Sequence, residues 1–374
     1  IYLKKGCQKS SSSIDLSGQN LTEIPEAVFQ SPQLTSLNLR HNLFQNVNSP
    51  DNPLHDLLRL KFLRTVNLSS NGLEEFPLVL CRLETIVELN LSCNKVPGVP
   101  RDISQLTRLE LLELHSNQIS VLPDSLQDCA ALRKLSLGFN SFAQVPDVLS
   151  KMKLLDQIAL AGNTLNNLEC CECSHPYNKV ISKADFCRNS IAGEVYLGKC
   201  STYKHLTELD ISDNSIRLLD VSELVHLKSL KCVNNQIHDL RLNGQSLKLL
   251  IASKNELNSI TIDPLPETLQ SLDLSRNQFS AVPSWICDLV YLKHLDLSYN
   301  HLQELYPNIL LNPSICILYV NNNQLKLIGE INQQSSLEML FAQNNMIVEL
   351  PVDFFQKAKD LRVLNMTNNR LTSL

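Results

Sequence analysis

Hydrophobic and polar residues alternate along the chain in one recurring frame. In the stretch VELNLSCNKV, residues 87–96, Leu89 and Leu91 alternate with polar residues as in a half-buried strand, and Asn94 follows shortly after. Asparagine is depleted in strands, and burial of its amide is costly unless each polar atom has a hydrogen-bond partner. The frame therefore predicts a short strand followed by an asparagine with a structural role in hydrogen bonding.

The frame L-x-x-L-x-L-x-x-N-x-L recurs, most often with a step of 23 residues. Its asparagine position is filled by Asn42, Asn71, Asn94, Asn117, Asn140, Asn163, Asn214, Asn235, Asn255, Asn277, Asn300, Asn323, Asn345 and Asn369. Two weaker copies, IDLSGQNL with Gln19 in that position and ADFCRNSI with Asn189, bring the series to sixteen. This period is typical of leucine-rich repeats. We predict an α/β fold, a right-handed leucine-rich-repeat solenoid (horseshoe) with a concave parallel β-sheet and about 16 repeats.

The asparagines are predicted to form a ladder. A side-chain amide at this position pairs with backbone groups left open where the strand bends away, and its loss would strand those groups at a cost of about 1–3 kcal/mol. Many return segments begin with a proline six residues after the asparagine, as in EEFP and SVLP. Proline ends the strand there and favours an extended or short helical turn.

Domain boundaries follow from places where the frame weakens. Residues 1–12 are polar and predicted to be loose, and residues 13–374 form the repeat domain. We expect this domain to be truncated, because NNRLTSL ends just before the next proline position. The 29-residue step from Asn42 to Asn71 predicts a loop and a short helix, and steps of 21, 20 and 22 between Asn214 and Asn277 predict thin repeats without helices. Residues 164–205 hold an irregular, cysteine-rich repeat.

Composition and charge narrow the choice of partners and of compartment. The chain of 374 residues has a formal net charge of −5 and a pI near 6.0, so it offers no basic face for nucleic acid. No apolar run reaches the roughly 18 residues that a bilayer span requires, so no membrane insertion is expected. The twelve cysteines are scattered rather than grouped as capping disulfides. This indicates a cytoplasmic location, with nuclear or peripheral-membrane locations also open to the full-length protein.

The cysteine-rich segment is the sharpest candidate for chemistry. Six side chains could in principle supply zinc ligands: Cys170, Cys171, Cys173, His175, Cys187 and Cys200. Their spacing is not a paired C-x-x-C set, so we predict free thiols and no metal. The chain also has no phosphate-binding loop, no G-x-S-x-G and no H-E-x-x-H motif. We therefore expect no catalytic residue and no cofactor in this segment, which is not an enzyme by itself.

The outward positions of the strands hold the candidate binding site. Their middle column is polar until the last strands, where apolar side chains are predicted to form a contiguous partner-binding patch: Tyr299, Ile317, Tyr319, Met339, Phe341 and Val363. Either a partner protein or a flanking segment of the same protein would cover this patch. Acidic residues lie on the same face: Asp185, Glu208, Asp210, Asp273 and Asp296. They could attract a basic partner, although exposed charges of this kind are usually only solvated.

Three runs of sequence carry a resemblance to a known family. They are IDLSGQNLTEIPEAVFQSPQLTSLNLRHNLFQ, VNLSSNGLEEFPLVLCRLETIVELNLSCNKVPGVP and LKCVNNQIHDLRLNGQSLKLLIASKNELNSITIDPLPETLQSLDLSRNQFSAVPSWIC. The chain resembles, over nearly its whole length, the repeat region of the PH-domain leucine-rich-repeat protein phosphatases. The most specific features are Gln19 in the first repeat, the 29-residue second step, and Cys232 and Ala252 at strand core positions.

The resemblance implies a function for a longer protein. In that family the repeats lie between a PH domain and a protein phosphatase 2C-type domain that uses manganese or magnesium. Such a metal is expected only in that absent domain. The intact protein would dephosphorylate kinases such as protein kinase B and protein kinase C and so regulate growth signalling. The repeats would bind proteins, either phosphorylated kinases or the chain's own phosphatase domain.

Two other function classes stay open at this point. One is a non-enzymatic intracellular scaffold that binds small GTPases or phosphatase subunits through its repeats. The other is a secreted pattern-recognition ectodomain, which would need capping disulfides that the cysteine pattern does not indicate. The resemblance favours the phosphatase family over both.

Overall fold

The structure, a computed structural model, describes residues 12–168, 181–198, 201–305 and 309–372. The chain divides into two compact units. Of the described residues, the first unit holds residues 12–165 and Ile181, and the second holds Asn166–Leu168 and continues from Ser182. The segment predicted to be loose lies outside the described residues except for Ser12, whose carbonyl oxygen accepts a hydrogen bond from Thr35 N at 2.8 Å.

The first unit contains seven short parallel strands that pair in chain order. They are β1 (Ser13–Asp15), β2 (Ser36–Asn38), β3 (Thr65–Asn67), β4 (Glu88–Asn90), β5 (Leu111–Glu113), β6 (Lys134–Ser136) and β7 (Gln157–Ala159). Pairing in register sets Leu37, Val66 and Leu89 side by side, and all three are fully buried. The residues on either side of each point the other way. Alternation in the sequence thus buries one face of the sheet and leaves the other as an open face.

The second unit repeats this arrangement with nine parallel strands. They are β8 (Lys183–Asp185), β10 (Glu208–Asp210), β12 (Ser229–Lys231), β14 (Leu249–Ile251), β16 (Ser271–Asp273), β17 (His294–Asp296), β18 (Ile317–Tyr319), β19 (Met339–Phe341) and β20 (Val363–Asn365). Seven strands and nine strands make sixteen, one for each repeat of the sequence. The predicted leucine-rich-repeat solenoid is therefore confirmed.

Most return segments are short helical turns. They are 3-10 turns at Glu26–Gln30, His55–Arg59, Arg101–Gln105, Asp124–Asp128, Asp147–Lys151, Ser201–Tyr203, Ser284–Asp288 and Ile309–Leu311, and the single α-turns α1 (Leu78–Cys81) and α2 (Phe354–Lys357). Pro77 and Pro123 stand immediately before their turns, because proline fixes φ and has no N–H to leave unpaired. The short helix predicted within the 29-residue step is confirmed at His55–Arg59. No helix of the described residues has the length and apolar character that a membrane crossing requires.

The return segments of the thin repeats, together with a strand of the repeat before them, form a second parallel sheet. Its strands are β9 (Ala192–Tyr196), β11 (Ser215–Val221), β13 (Asp239–Leu242) and β15 (Thr261–Ile262). The predicted lack of helix between Asn214 and Asn277 is confirmed, whereas the second sheet was not predicted. Cys232 and Ala252 occupy core positions in these repeats where leucine is usual, and both are fully buried.

The asparagines after the strands join each repeat to the one before it. Asn117 shows the pattern: its Nδ2 donates to Leu91 O and Leu114 O, both at 3.0 Å, and its Oδ1 accepts from Val96 N at 2.9 Å. An Nδ2 bond to a carbonyl of the preceding repeat is made by Asn42, Asn71, Asn94, Asn117, Asn140, Asn163, Asn214, Asn235, Asn255, Asn277, Asn300, Asn323, Asn345 and Asn369. Asn71 alone of these has a buried Oδ1 without a partner among the described residues. Its preceding repeat is the one lengthened by the 29-residue step.

Candidate functional site

Apolar side chains gather on the open face of the last three strands of the second unit. Strands β18, β19 and β20 pair in register, which places Ile317 beside Met339 and Met339 beside Val363. In the next outward column, Tyr319 lies beside Phe341. We call these five side chains the apolar patch. Four of them are partly exposed and Val363 is exposed over 37% of its surface, so the patch is available for contact.

Tyr319 and Phe341 form the centre of the apolar patch. Their rings are nearly parallel, with centroids 4.7 Å apart and planes inclined by 7°. Aromatic pairs contribute about 0.5–1.5 kcal/mol beyond the area that they bury. The stack therefore holds both rings in place and presents a preformed apolar surface to a ligand.

Tyr299 lies apart from the stacked rings. It follows β17 on a loop, immediately before the ladder residue Asn300, and its φ is 54°. The guanidinium of Arg276, from the preceding repeat, covers the ring at 4.0 Å from its centroid. The side chain is 42% exposed. The structure thus places this predicted site residue on the loop beside the patch, packed on a cation.

We expect Tyr299→Asn to raise the free energy of unfolding. A left-handed φ costs a residue with a Cβ about 1–2 kcal/mol, and asparagine tolerates it better than a bulky aromatic residue. Loss of the Arg276 contact offsets about 0.5–1 kcal/mol of this gain. The net rise of about 0.5 kcal/mol should appear in urea denaturation as a higher midpoint with an unchanged slope.

The reverse exchange provides the control for this prediction. Asn322 holds the equivalent position in the next repeat with φ of 55°. Asn322→Tyr should lower the midpoint by more than this, because it also removes the Oδ1 that accepts a hydrogen bond from Asn344 Nδ2. A midpoint for Tyr299→Asn at or below that of the unchanged chain would contradict the prediction.

Two carboxylates continue the column of Tyr319 along the open face. Asp296 lies beside Tyr319 on β17, and Asp273 lies beside Asp296 on β16. In each carboxylate Oδ1 accepts a backbone hydrogen bond, from Ser298 N at 2.8 Å and from Ser275 N at 2.9 Å respectively. Among the described contacts, neither Oδ2 has a hydrogen bond or an ion pair. Burial raises the pKa of Asp296 and the charge of Asp273 adds to the rise, while the hydrogen bonds from Ser298 and the charge of Arg276 oppose it.

A row of asparagine amides borders the apolar patch on the loops after the strands. Asn344 Nδ2 donates to Asn322 Oδ1 at 3.0 Å, and Asn368 Nδ2 donates to Asn344 Oδ1 at 2.8 Å. All three residues have a left-handed φ between 55° and 58°, which asparagine adopts more easily than most residues. Sequence reasoning missed this row. The available signal was the Asn-Asn dipeptide, which recurs at 322–323, 344–345 and 368–369.

The residues predicted as potential zinc ligands lie mostly outside the described residues. These are Cys170, Cys171, Cys173, His175 and Cys200. Cys187 is described and lies near Asp185 and Asp210, with one donor atom of each within 4.8 Å of the others. Burial raises the pKa of the Cys187 thiol to about 12, and a hydrogen bond with Asp185 adds to the rise. Acidic groups often cluster in this way without a metal, so this geometry alone does not make the cluster a metal centre.

Similarity to known proteins supports the fold. Family models described as leucine-rich repeat match residues 84–142, 204–225, 268–289 and 291–312. A leucine-rich-repeat protein of Leptospira interrogans superposes with a TM-score of 0.74 at 25% identity, covering 96% of this chain and 85% of that one. A plant peptide hormone receptor, solved in complex with RGF2, superposes with a TM-score of 0.70 at 23% identity, covering 96% and 58%. At these identities the likeness to the receptor concerns the fold alone.

Curated relatives are more similar in sequence. PH domain leucine-rich repeat-containing protein phosphatase 1 of Homo sapiens is 50% identical over 281 residues, which are 74% of this chain and 16% of the relative. A protein phosphatase PHLPP-like protein of Drosophila melanogaster is 36% identical over 101 residues, which are 26% of this chain and 10% of the relative. The chain therefore spans only a small part of the length of the relatives that it matches.

Proposed function

This chain belongs, through its leucine-rich repeats, to the PH domain leucine-rich repeat protein phosphatase family, and from this premise we propose that it is the protein-binding segment of a protein phosphatase 2C-type Ser/Thr phosphatase. Its role would be to hold phosphorylated kinases, such as protein kinase B and protein kinase C, or the catalytic domain of the same phosphatase. The protein would act in the cytoplasm, in growth signalling. Catalysis, with its manganese or magnesium, would reside in the phosphatase domain.

The apolar patch carries this proposal. It is contiguous, it is partly exposed, and it lies on paired strands that hold it rigid. Exposed apolar patches of this kind mark interaction sites, and aromatic side chains dominate the binding energy of protein interfaces. The acidic net charge of −5 favours a protein partner over nucleic acid. The names of the relatives favour a phosphatase over a scaffold for small GTPases, which rests on the repeat fold alone.

The double change Tyr319→Asp with Phe341→Asp tests the proposal. Two charges at the centre of the apolar patch would be desolvated by any partner that covers it, so we expect binding to weaken by about 30-fold or more. The measurement is isothermal titration calorimetry of this chain with phosphorylated protein kinase B, phosphorylated protein kinase C and the phosphatase domain of the human relative.

A second double change controls for charge and for loss of an exposed aromatic residue. Val290 and Tyr291 are 62% and 58% exposed and lie in the turn before β17, away from the open face. Val290→Asp with Tyr291→Asp should leave binding unchanged. Thermal unfolding of both variants checks that each is folded. The proposal fails if none of the three proteins binds the unchanged chain, or if the patch variant binds as tightly as the control.

A further inference from the structure

We propose that the apolar patch and the carboxylates of Asp273 and Asp296 form one continuous site for an extended, arginine-bearing segment of the partner protein. The partner's guanidinium would lie on the two carboxylates, and an apolar side chain further along its segment would lie on Tyr319 and Phe341. This inference rests on the proposed function, since it specifies the chemistry of the partner that the patch holds.

The two carboxylates are arranged to receive a cation. They lie on adjacent paired strands, about 4.8 Å apart, where their charges repel each other. Hydrogen bonds from Ser275 and Ser298 fix one oxygen of each and leave the other unpaired among the described contacts. The guanidinium of Arg276 opposes the rise that burial causes in the pKa of Asp296, but it stacks on Tyr299 and forms no described ion pair with either carboxylate. A cation supplied by a partner would remove the repulsion without any rearrangement of the site.

Other acidic residues of the open face differ in this respect. Glu208 Oε1 lies 2.7 Å from Lys183 Nζ, and Asp210 Oδ2 lies 3.9 Å from Lys231 Nζ. Their charges are thus partly neutralised within the chain. The sequence grouped Asp273 and Asp296 with Glu208 and Asp210, and the structure shows that the two pairs differ in their lysine neighbours.

Arginine fits this pair better than lysine does. A guanidinium is planar and presents several N–H groups in a fixed fork, so it can donate to two carboxylates at once. Its flat face can also stack on an aromatic ring, and the ring of Tyr319 belongs to the strand next to Asp296. An ammonium group is a compact point charge that has neither the planar fork nor the flat face of a guanidinium.

The spacing of the column sets the pattern of the segment. The distance from the middle of the carboxylate pair to the middle of the ring pair is two strand spacings, or about 10 Å. A segment in the extended polyproline II conformation advances about 3.1 Å per residue and presents the same face at every third residue, so the arginine and the apolar residue should be three positions apart, as in Arg-x-x-Phe. Such a segment would run across the strands beside the row of amides of Asn322, Asn344 and Asn368, which are hydrogen-bonded to one another.

Short synthetic peptides that differ at one position test the inference on this chain of 374 residues. Capped peptides containing Arg-x-x-Phe, Glu-x-x-Phe and Arg-x-x-Ala are titrated at low salt by isothermal titration calorimetry. We expect Arg-x-x-Phe to bind about 10-fold more tightly than either of the others. The variant Asp273→Asn with Asp296→Asn should lose this preference for arginine, because asparagine keeps the bond to the serine N–H but not the charge.

Asp210→Asn is the matched control, since it removes a carboxylate of the same column that already has a lysine neighbour. It should leave the arginine preference intact. Equal affinities for the arginine and glutamate peptides overturn the inference, as does an equal effect of Asp210→Asn or the failure of every peptide to bind. None of these results decides the proposed function, which the kinase and phosphatase-domain titrations test separately.

Discussion

Asn117→Asp should lower the free energy of unfolding by about 3 kcal/mol, because it reverses the sense of two buried hydrogen bonds. The amide nitrogen now donates to Leu91 O and Leu114 O, both at 3.0 Å, and the side chain is only 9% exposed. A carboxylate has the same shape but would direct a charged oxygen at both carbonyls. Asn117→Ala should cost less, about 1–3 kcal/mol, because it leaves those groups unpaired without adding a buried charge. Urea denaturation measures both losses.

The pH dependence separates this cause from a loss of packing. Burial beside two carbonyl oxygens would raise the pKa of the introduced carboxyl above its unfolded value of about 3.9. An acid with a raised folded-state pKa destabilises the fold above that pKa, and the penalty disappears as pH falls toward the unfolded value. The loss for Asn117→Asp should therefore shrink toward pH 4, while the loss for Asn117→Ala should not.

Asn166→Ala, at an exposed asparagine off the ladder, should change stability by less than about 0.5 kcal/mol. Equal losses for Asn117→Ala and Asn166→Ala would contradict the ladder.

The repeat fold was predictable because each repeat contacts only its neighbours. The alternation around Leu89 and the position of Asn94 recur every 23 residues, so one correct interpretation of a strand carries over to the others. The helical turns after Pro77 and Pro123 were predictable for a similar reason, since the cause is the fixed φ of a single residue.

The second sheet was not predictable from the same frame. The steps of 21, 20 and 22 residues excluded a helix in the thin repeats. They did not indicate which conformation the return segments adopt in its place. Strands β11 and β13 form because neighbouring return segments of similar length pair with each other. Whether these strands pair depends on the lengths of two neighbouring return segments, so the sequence of one repeat does not predict it.

The candidate site was predictable in part. A period of two residues places Tyr319 and Phe341 on the open face, so their proximity follows from register. The position of Tyr299 beneath Arg276 depends on a left-handed loop residue, which the apolar pattern does not report. The unpaired oxygen of Asp296 depends on which of its two oxygens the serine N–H engages. Both details are settled by local geometry rather than by residue type.

Gly244→Ala should lower the free energy of unfolding by about 3 kcal/mol, because the return segment has no space for a methyl group there. A Cβ at Gly244 would collide with the backbone oxygen of Pro264 and would lie 2.7 Å from both Leu265 C and Pro266 N. All of these atoms belong to the backbone of the next thin repeat, so no side chain can rotate away. Gly244 N also donates to Pro264 O at 3.1 Å, and moving the segment to relieve the collision would break that bond. Thermal and urea unfolding measure the loss.

Gly98→Ala is the matched control, since a Cβ at Gly98 meets nothing within 4 Å and its φ is not left-handed. It should raise stability by about 0.4–1 kcal/mol, because alanine restricts the unfolded chain more than glycine does. The two changes add the same methyl group to the same protein. Opposite effects on the free energy of unfolding would therefore be due to the backbone atoms that surround Gly244. Similar effects of both would mean that the thin repeats have more room than the structure allows. Opposite effects would show that thin repeats, having no helical turns, depend on direct contact between successive return segments.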